Sequence, residues 1–438
     1  MFIGSEAFYA LSGVVIMAII LILLMQEKTI PQVVLIAVPI VCGFLIGFSF
    51  TEMCEYIKSG ISGVASNTAL FIFSVMFFGI VSDTGIFDIV VGKLVKKAGN
   101  NVFFVFVIAI VVAIIGHLDG AGATTFLIAV PPMMIIFKKL NISPKILITL
   151  VCLTAGCMNV VPWGGPTGRI ASIIGIDPME IWHYTLPTQI FGIVLVFGVA
   201  LFYARKEKKR IAIEGLSIQD EEVTVVDPAV EALRRPKLMW FNALMIVVVI
   251  GMMFIPGIYL PLPFMLGTIV VLLVNYPQKS EQSARIKDHA NDALYMGMTV
   301  ISVGVMSGVM NNSPIGDAMI NFLVHSMPEA IAAHLHVLWS LIAVPVGLLM
   351  NGVDEYALVP MIAQAAENFG IPRAAAAGTW IVGYMPGAFF QTATSAMWIG
   401  LGLAGVSYKD HIKTGIKWAF AISVLQVLFM LVTGAVQF

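Results

Sequence analysis

This sequence is short of charge. Only 11% of its 438 residues are Asp, Glu, Lys or Arg, against about a quarter in an ordinary soluble domain, while 59% are hydrophobic. The apolar runs are too long and too numerous for a globular core. With a formal net charge of −1 and the basic residues scattered over short loops, nothing suits nucleic acid. Cysteine is rarer still, and Cys42, Cys54, Cys152 and Cys157 lack metal or redox spacing, so they read as packing residues. There is no Walker loop and no nucleophile, base and oxyanion set, so neither an ATP-driven pump nor an enzyme is supported and an ion gradient must supply the energy. The first apolar run, Phe8 to Met25, lacks a basic leader and is followed at once by another, so it reads as a retained helix instead of a signal peptide.

What is present is an all-α polytopic membrane protein. Apolar runs predict spans over Phe8 to Met25, Pro31 to Phe50 and Ser66 to Ser82. Thr84 to Asn100, with Lys93, Lys96 and Lys97 on one side, has the pattern of an interfacial amphipathic helix. Then comes the stretch that organises the chain: Gly116 to Thr125 places His117, Asp119, Thr124 and Thr125 between two apolar flanks, Val102 to Ile115 and Phe126 to Phe137. Each flank reaches only about 18 to 22 Å, short of a hydrocarbon core of roughly 30 Å. The expectation is a re-entrant hairpin whose polar tip lies inside the membrane, where a carboxylate is functional by default. Lys145 to Val161 starts a helix that Pro162 to Gly168 must interrupt; it resumes over Arg169 to Ile176, and Thr188 to Tyr203 crosses back.

A polar segment, residues 205–237, reads as a cytoplasmic linker between two halves. The second half repeats the order: Leu238 to Phe254, Leu262 to Val274, Ala293 to Met310, an interfacial Pro314 to Met327, a second hairpin, a second broken helix and a last span over Gly415 to Val436. Phe78 to Asp88 resembles Ser307 to Asp317, and Asp88 and Asp317, Ile142 and Ile371, His183 and His411 keep a register of 228 to 229 positions. With the linker inside, only Lys58 and Arg373 fall outside and Arg169 within the membrane among 24 basic residues, which makes the halves inverted repeats. The predicted plan is 1–204 as the first repeat (scaffold helices 1–100, hairpin and broken helix 101–186), the linker, and 238–438 as the second (scaffold 238–335, hairpin and broken helix 336–410). A multi-pass protein of the cytoplasmic (inner) membrane follows.

Four tips should converge at the midplane. Half one supplies His117, Asp119, Gly120, Gly122, Thr124 and Thr125, then Asn159, Trp163, Gly164, Gly165, Pro166, Thr167 and Arg169; half two supplies Asn351, Asp354 and Glu355, then Gln391, Thr392, Thr394 and Ser395. Half-helix N-termini suit carboxylates, and unwound carbonyls and carboxylates suit cations. Asp119 and Asp354 are the leading cation or proton sites, with Glu355 and His117 as further coupling groups. Arg169 is placed to grip a carboxylate; the bland alternative is a pair with Asp119. The hydroxyls of Thr124, Thr125, Thr392, Thr394 and Ser395 suit substrate or a return bond to a helix carbonyl. His325, His334 and His336 read as solvated residues of an exterior loop.

Three segments, Gly116 to Leu127, Met158 to Thr167 and Leu401 to His411, resemble the divalent-metal-citrate:proton symporter (CitMHS) family of the ion transporter superfamily. The resemblance implies an elevator-type homodimeric carrier importing citrate complexed with magnesium or another divalent metal, together with protons; the metal travels with the substrate, with Asp119 and Asp354 as its ligands, and no cofactor stays bound. Ala121 stands where the family often has an acidic residue, and Glu355 where it has no acid, so the oxygen ligands differ. A sodium-coupled carrier of metal-free di- or tricarboxylates keeps the same architecture, and an anion channel or sensor is a third reading.

Overall fold

The computed structural model describes residues 4–26, 28–87, 89, 94, 101–120, 122–214, 228–325, 328–350, 354–392 and 394–438. Every regular element among them is helical. Half one contains α1 (Glu6–Met25), α2 (Pro31–Ile46), α3 (Phe50–Asp83), α4 (Val102–Gly116), α5 (Gly122–Lys139), α6 (Pro144–Met158), α7 (Gly165–Ile174) and α8 (Pro178–Glu214). After a short α9 (Pro228–Leu233) and a single 3₁₀ turn, half two runs through α10 (Met239–Met252), α11 (Pro261–Asn275), α12 (Lys279–Asn311), α13 (Pro314–His325), α14 (Glu329–Leu341), α15 (Ala343–Met350), α16 (Asp354–Glu367), α17 (Arg373–Tyr384), a 3₁₀ segment Met385–Phe390, α18 (Ser395–Ala404) and α19 (Tyr408–Thr433). The order recurs: Phe50 and Lys279, Pro144 and Arg373, Gly165 and Ser395, Pro178 and Tyr408 open matching helices 229 or 230 positions apart.

Six described helices are long and apolar enough to cross a membrane, or seven when α14 and α15 are counted as one bent span; one of the six is α5, which starts at Gly122 and runs on to Lys139 and so is longer than the half-spanning flank Phe126 to Phe137 expected from the sequence. Their outward faces carry large apolar side chains such as Ile190 and Val194 on α8 and Leu294 on α12, and the shorter α2 and α10 do the same with Leu45, Trp240 and Val247, a surface that a bilayer and not water would cover. The helices form two packed groups. One is a frame in which α3 and α12 cross, flanked by α1, α2, α10, α11 and α13; the other is a hairpin bundle of α4 to α8 and α14 to α19. Glycine sets the α3–α12 crossing: a Cβ on Gly60 would lie 2.1 Å from the Gly304 carbonyl oxygen and 2.6 Å from the Gly308 Cα, so the backbones themselves touch. Within the hairpin bundle, α7 and α16 make most of the contact with the frame, joined by α14 against α13 and by Met179 and Trp182 of α8 against the frame's aromatic cluster.

Several elements exceed their hydropathy bounds. α3 begins at Phe50 and not near Ser66, because Ser49 and Glu52 form a reciprocal capping box. α12 likewise begins at Lys279 instead of Ala293. α8 runs on to Glu214, into the segment expected as linker: Glu207 is buried, accepts from the Ser143 amide at 3.1 Å and pairs with Arg210, so this end of the helix has tertiary partners of its own. The first arm of the second hairpin is bent by 70° between α14 and α15. His334 and His336 are on α14 and not on an exterior loop. His336 is buried with Nε2 2.9 Å from the Gln437 carbonyl, and His334 stacks on Phe438, so the end of the chain covers them. Most of the expected interfacial helix of half one, including its three lysines, and the His325 side chain lie outside the described residues.

Candidate functional site

The first hairpin turns through Gly120, whose φ of +70° suits glycine. Behind the tip, the fully buried His117 sets Nδ1 2.7 Å from Thr125 Oγ1, tying the two arms, and Nε2 3.4 Å from Asn159 Oδ1. The helix break between α6 and α7 comes to the tip: Trp163 Nε1 donates to the Leu118 carbonyl at 2.7 Å, and a Cβ on Gly120 would be 3.0 Å from the Gly164 Cα. Trp163 is itself held against Phe78 and Phe264 of the frame. The prolines and glycines of this break thus let two irregular backbones touch, and leave the N-terminus of α7 facing inward.

These elements enclose a cavity of about 610 Å³. Its wall takes Asp119, Gly120, Gly122, Asn159, Gly165, Pro166 and Arg169 from half one, and Glu355, Gln391 and Thr394 from half two. Residues singled out from the sequence, drawn from all four tips, therefore share one space. It reaches Thr29, Ile30 and Pro31 at the α1–α2 turn. A second crevice of about 730 Å³ lies at the other ends of the same helices, lined by Ser59 to Val64 of α3, Ser172 to Ile174 of α7 and Ser307 to Asn311 of α12. Although larger, it is the weaker candidate: its cation, Arg373, is paired with Glu367 and bonded to the Ile174 carbonyl. α7 is the partition between the two spaces. Asn67 Nδ2 donates to Ser172 Oγ at 2.9 Å and Asn311 Nδ2 to the Ile173 carbonyl at 3.0 Å, fastening that partition to the frame.

Charge in the 610 Å³ cavity centres on one ion pair. Arg169 Nε donates to Glu355 Oε1 at 2.7 Å, with side-chain exposures of 19% and 6%. Arg169 thus pairs with the other half of the chain, 186 positions away, and not with Asp119. The guanidinium lies against the start of α7, where a Cβ on Gly165 would come 2.8 Å from Nη1. Its terminal nitrogens make no further protein hydrogen bond among the described residues, so a fork of donors remains for a carboxylate. Gln391 accepts from the Tyr384 hydroxyl at 2.6 Å and keeps Nε2 buried without a partner.

Other expected residues are not in the wall. His117 and Thr125 lie behind the first tip, Gly164 backs Gly120, and Thr167 is buried on α7 with its hydroxyl unpartnered. Thr124 is half-buried, and Thr392 is exposed with its carbonyl taken by Trp398 Nε1. Thr394 lines the cavity, yet its hydroxyl returns to the Ala388 carbonyl at 2.7 Å. Asn351 and the side chains of Asp354 and Ser395 lie outside the described residues; Asp354 opens α16. Nothing in the chain's pattern marks Tyr384, or Tyr295, Met296 and Thr299, which α12 contributes from the frame. Tyr295, Met296 and Thr299 sit inside a regular helix with no break to flag them, and Tyr384 is the last residue of α17, just before the 3₁₀ segment.

Residues 5–434 match the CitMHS family, described as citrate transporter. The chain is 31% identical over 430 residues to the citrate transporter of Bacillus subtilis (strain 168), covering 98% of this chain and 100% of that protein. It is 30% identical over 430 residues to the Mg(2+)/citrate complex secondary transporter of the same organism, covering 98% and 99%. Its fold matches the crystal structure of the Alcanivorax borkumensis YdaH transporter with a TM-score of 0.63 at 12% identity, over 92% of this chain and 96% of that one. A multi-pass helical bundle with a charged, half-helix-lined cavity is a transporter's architecture and not an enzyme's, and with these matches the chain belongs to the CitMHS citrate transporter family.

Proposed function

We propose that the protein is a secondary active transporter that imports citrate as its complex with a divalent metal, magnesium foremost, coupled to protons. The observation that carries this reading is the cavity that gathers Asp119, Arg169 and Glu355 at the ends of half-helices. The relative named as a Mg(2+)/citrate complex transporter supports the metal. In this reading Arg169 and the N-terminus of α7 at Gly165 and Pro166 hold a carboxylate, because a guanidinium and a helix N-terminus both favour negative charge. Asn159 and Gln391 add amide groups, and Asp119, with Asp354, faces the cation. His117, just ahead of Asp119 in the chain and joined to Asn159 and Thr125, is the proton-relay group.

The recurring element order and the basic residues gathered on one side support two inverted repeats. Two spaces at opposite ends of α7 support alternating access of the elevator type, with the hairpin bundle moving against the frame as a homodimer in the cytoplasmic (inner) membrane. Uptake of labelled citrate into proteoliposomes, with and without magnesium and an inward proton gradient, is the test. Uptake should rise with both, and transport indifferent to both rejects the coupling. Uptake that follows sodium and survives metal chelation selects the metal-free carrier instead.

A further inference from the structure

The Arg169–Glu355 pair is built unlike a permanent structural bridge. An arginine locked to a carboxylate for structure commonly uses two parallel bonds. Here a single Nε–Oε1 bond of 2.7 Å closes it, and Arg169 has no other protein hydrogen bond among the described residues. The partners come from different halves, near the N-terminal ends of α7 and α16, and both line the 610 Å³ cavity. Glu355 is the more deeply buried, at 6% side-chain exposure. A carboxylate at that depth is costly to leave without a cation.

We propose that Glu355 is an internal stand-in for a substrate carboxylate, and that its displacement from Arg169 makes anion and cation bind together. This rests on the metal-citrate reading and adds its coupling element. A citrate carboxylate approaching Arg169 offers two oxygens to the guanidinium and takes it from Glu355, which holds Arg169 by one bond and has the Tyr356 side chain as its other, uncharged partner. Glu355 then faces the cavity as a buried anion, and the divalent cation that arrives with citrate takes over its charge. Anion alone leaves Glu355 unpaired; cation alone leaves Arg169 unpaired. Each ligand therefore raises the affinity for the other, reciprocally, as linkage requires. No covalent bond is made or broken: one ion pair is exchanged for two.

The test is citrate binding to the purified full-length protein by calorimetry at one fixed pH, with magnesium, with sodium alone and with a chelator. In wild type, magnesium should tighten citrate binding by about tenfold or more. Glu355→Gln, close in size and able to stay bonded to Arg169, should bind metal-free citrate about tenfold more tightly than wild type does, and should lose the magnesium enhancement. Glu355→Asp, which keeps the charge, should restore the enhancement. A Glu355→Gln protein that keeps the wild-type enhancement, or that binds metal-free citrate no better, overturns the proposal while the transporter reading stands. Wild-type binding that ignores magnesium, or that answers only to sodium, removes the reading beneath it. Thermal unfolding of each variant shows whether a loss of binding is a loss of fold; should Glu355→Gln unfold, Glu355→Ala is measured in its place with the same two criteria, and added formate, a replacement carboxylate, should restore the enhancement.

Discussion

The two halves of the chain share an order of elements but not a distribution of chemistry. Matched by element, α7 and α18 open 230 positions apart at Gly165 and Ser395, which sets Arg169 opposite Ile399, beside Trp398, and α5 and α16 open 232 apart at Gly122 and Asp354, which sets Glu355 opposite Ala123; Trp163 precedes the first of these breaks as Thr392 precedes the second. Half one therefore carries the arginine, the Asp119 carboxylate and the indole that fixes its own tip. Half two sets Glu355 against that arginine, and its Trp398 is largely exposed. The hairpins differ in shape as well: α4 is one continuous arm, whereas α14 and α15 meet at 70°. The shared backbone plan answers to lipid thickness and helix packing, which bear on both halves alike. A cavity built for a single substrate does not need its groups in matched pairs.

Substitutions at corresponding positions put this contrast at risk. Arg169→Ala should have the largest effect, because removing one partner of a buried charge pair costs about 2 to 5 kcal/mol. Citrate uptake at equal protein abundance should fall at least about 30-fold, whereas Trp398→Ala, beside the matching position, should cost less than about threefold. Asp119→Asn should come next, impairing coupled uptake by less than Arg169→Ala does, with insertion and thermal stability unchanged; normal uptake by a well-expressed variant would remove Asp119 from the site. Trp163→Phe keeps the aromatic packing and deletes the donor to Leu118, leaving a buried carbonyl short of a bond at about 1 to 3 kcal/mol. Its melting temperature should drop by several degrees and uptake several-fold. Thr392→Ala, the counterpart of that change, should shift neither beyond about 0.5 kcal/mol. If Trp398→Ala or Thr392→Ala proved as damaging as its half-one partner, the asymmetry would be wrong.

A good part of the site is legible in the amino-acid sequence, for a reason that applies at particular residues. Pro162, Pro166 and the glycines around them cannot continue a helical ladder, and a polar tip such as His117 to Thr125 between two short apolar flanks cannot face lipid. Both constraints act within about ten residues of chain, the length over which the cost of an unsatisfied backbone or a buried charge is felt. Thr394 has two outlets that local pattern leaves equal, substrate or backbone, and its hydroxyl takes the backbone. His336 escapes a local reading for the opposite reason: its burial depends on Gln437, 101 positions on, and no nearby pattern records that.

Repeated entry into lipid, the places where helices break, the segments that turn back and the recurring order of elements are all written in the chain itself. They follow from the cost of taking backbone polar groups and charges out of water, a cost counted residue by residue. Folding in three dimensions chose the rest: that Arg169 meets Glu355 instead of Asp119, that α3 and α12 touch through Gly60, Gly304 and Gly308, and that Tyr384 stands behind Gln391. Those pairings depend on which helix faces are brought within a few ångströms of each other, and that is set by packing across the whole bundle.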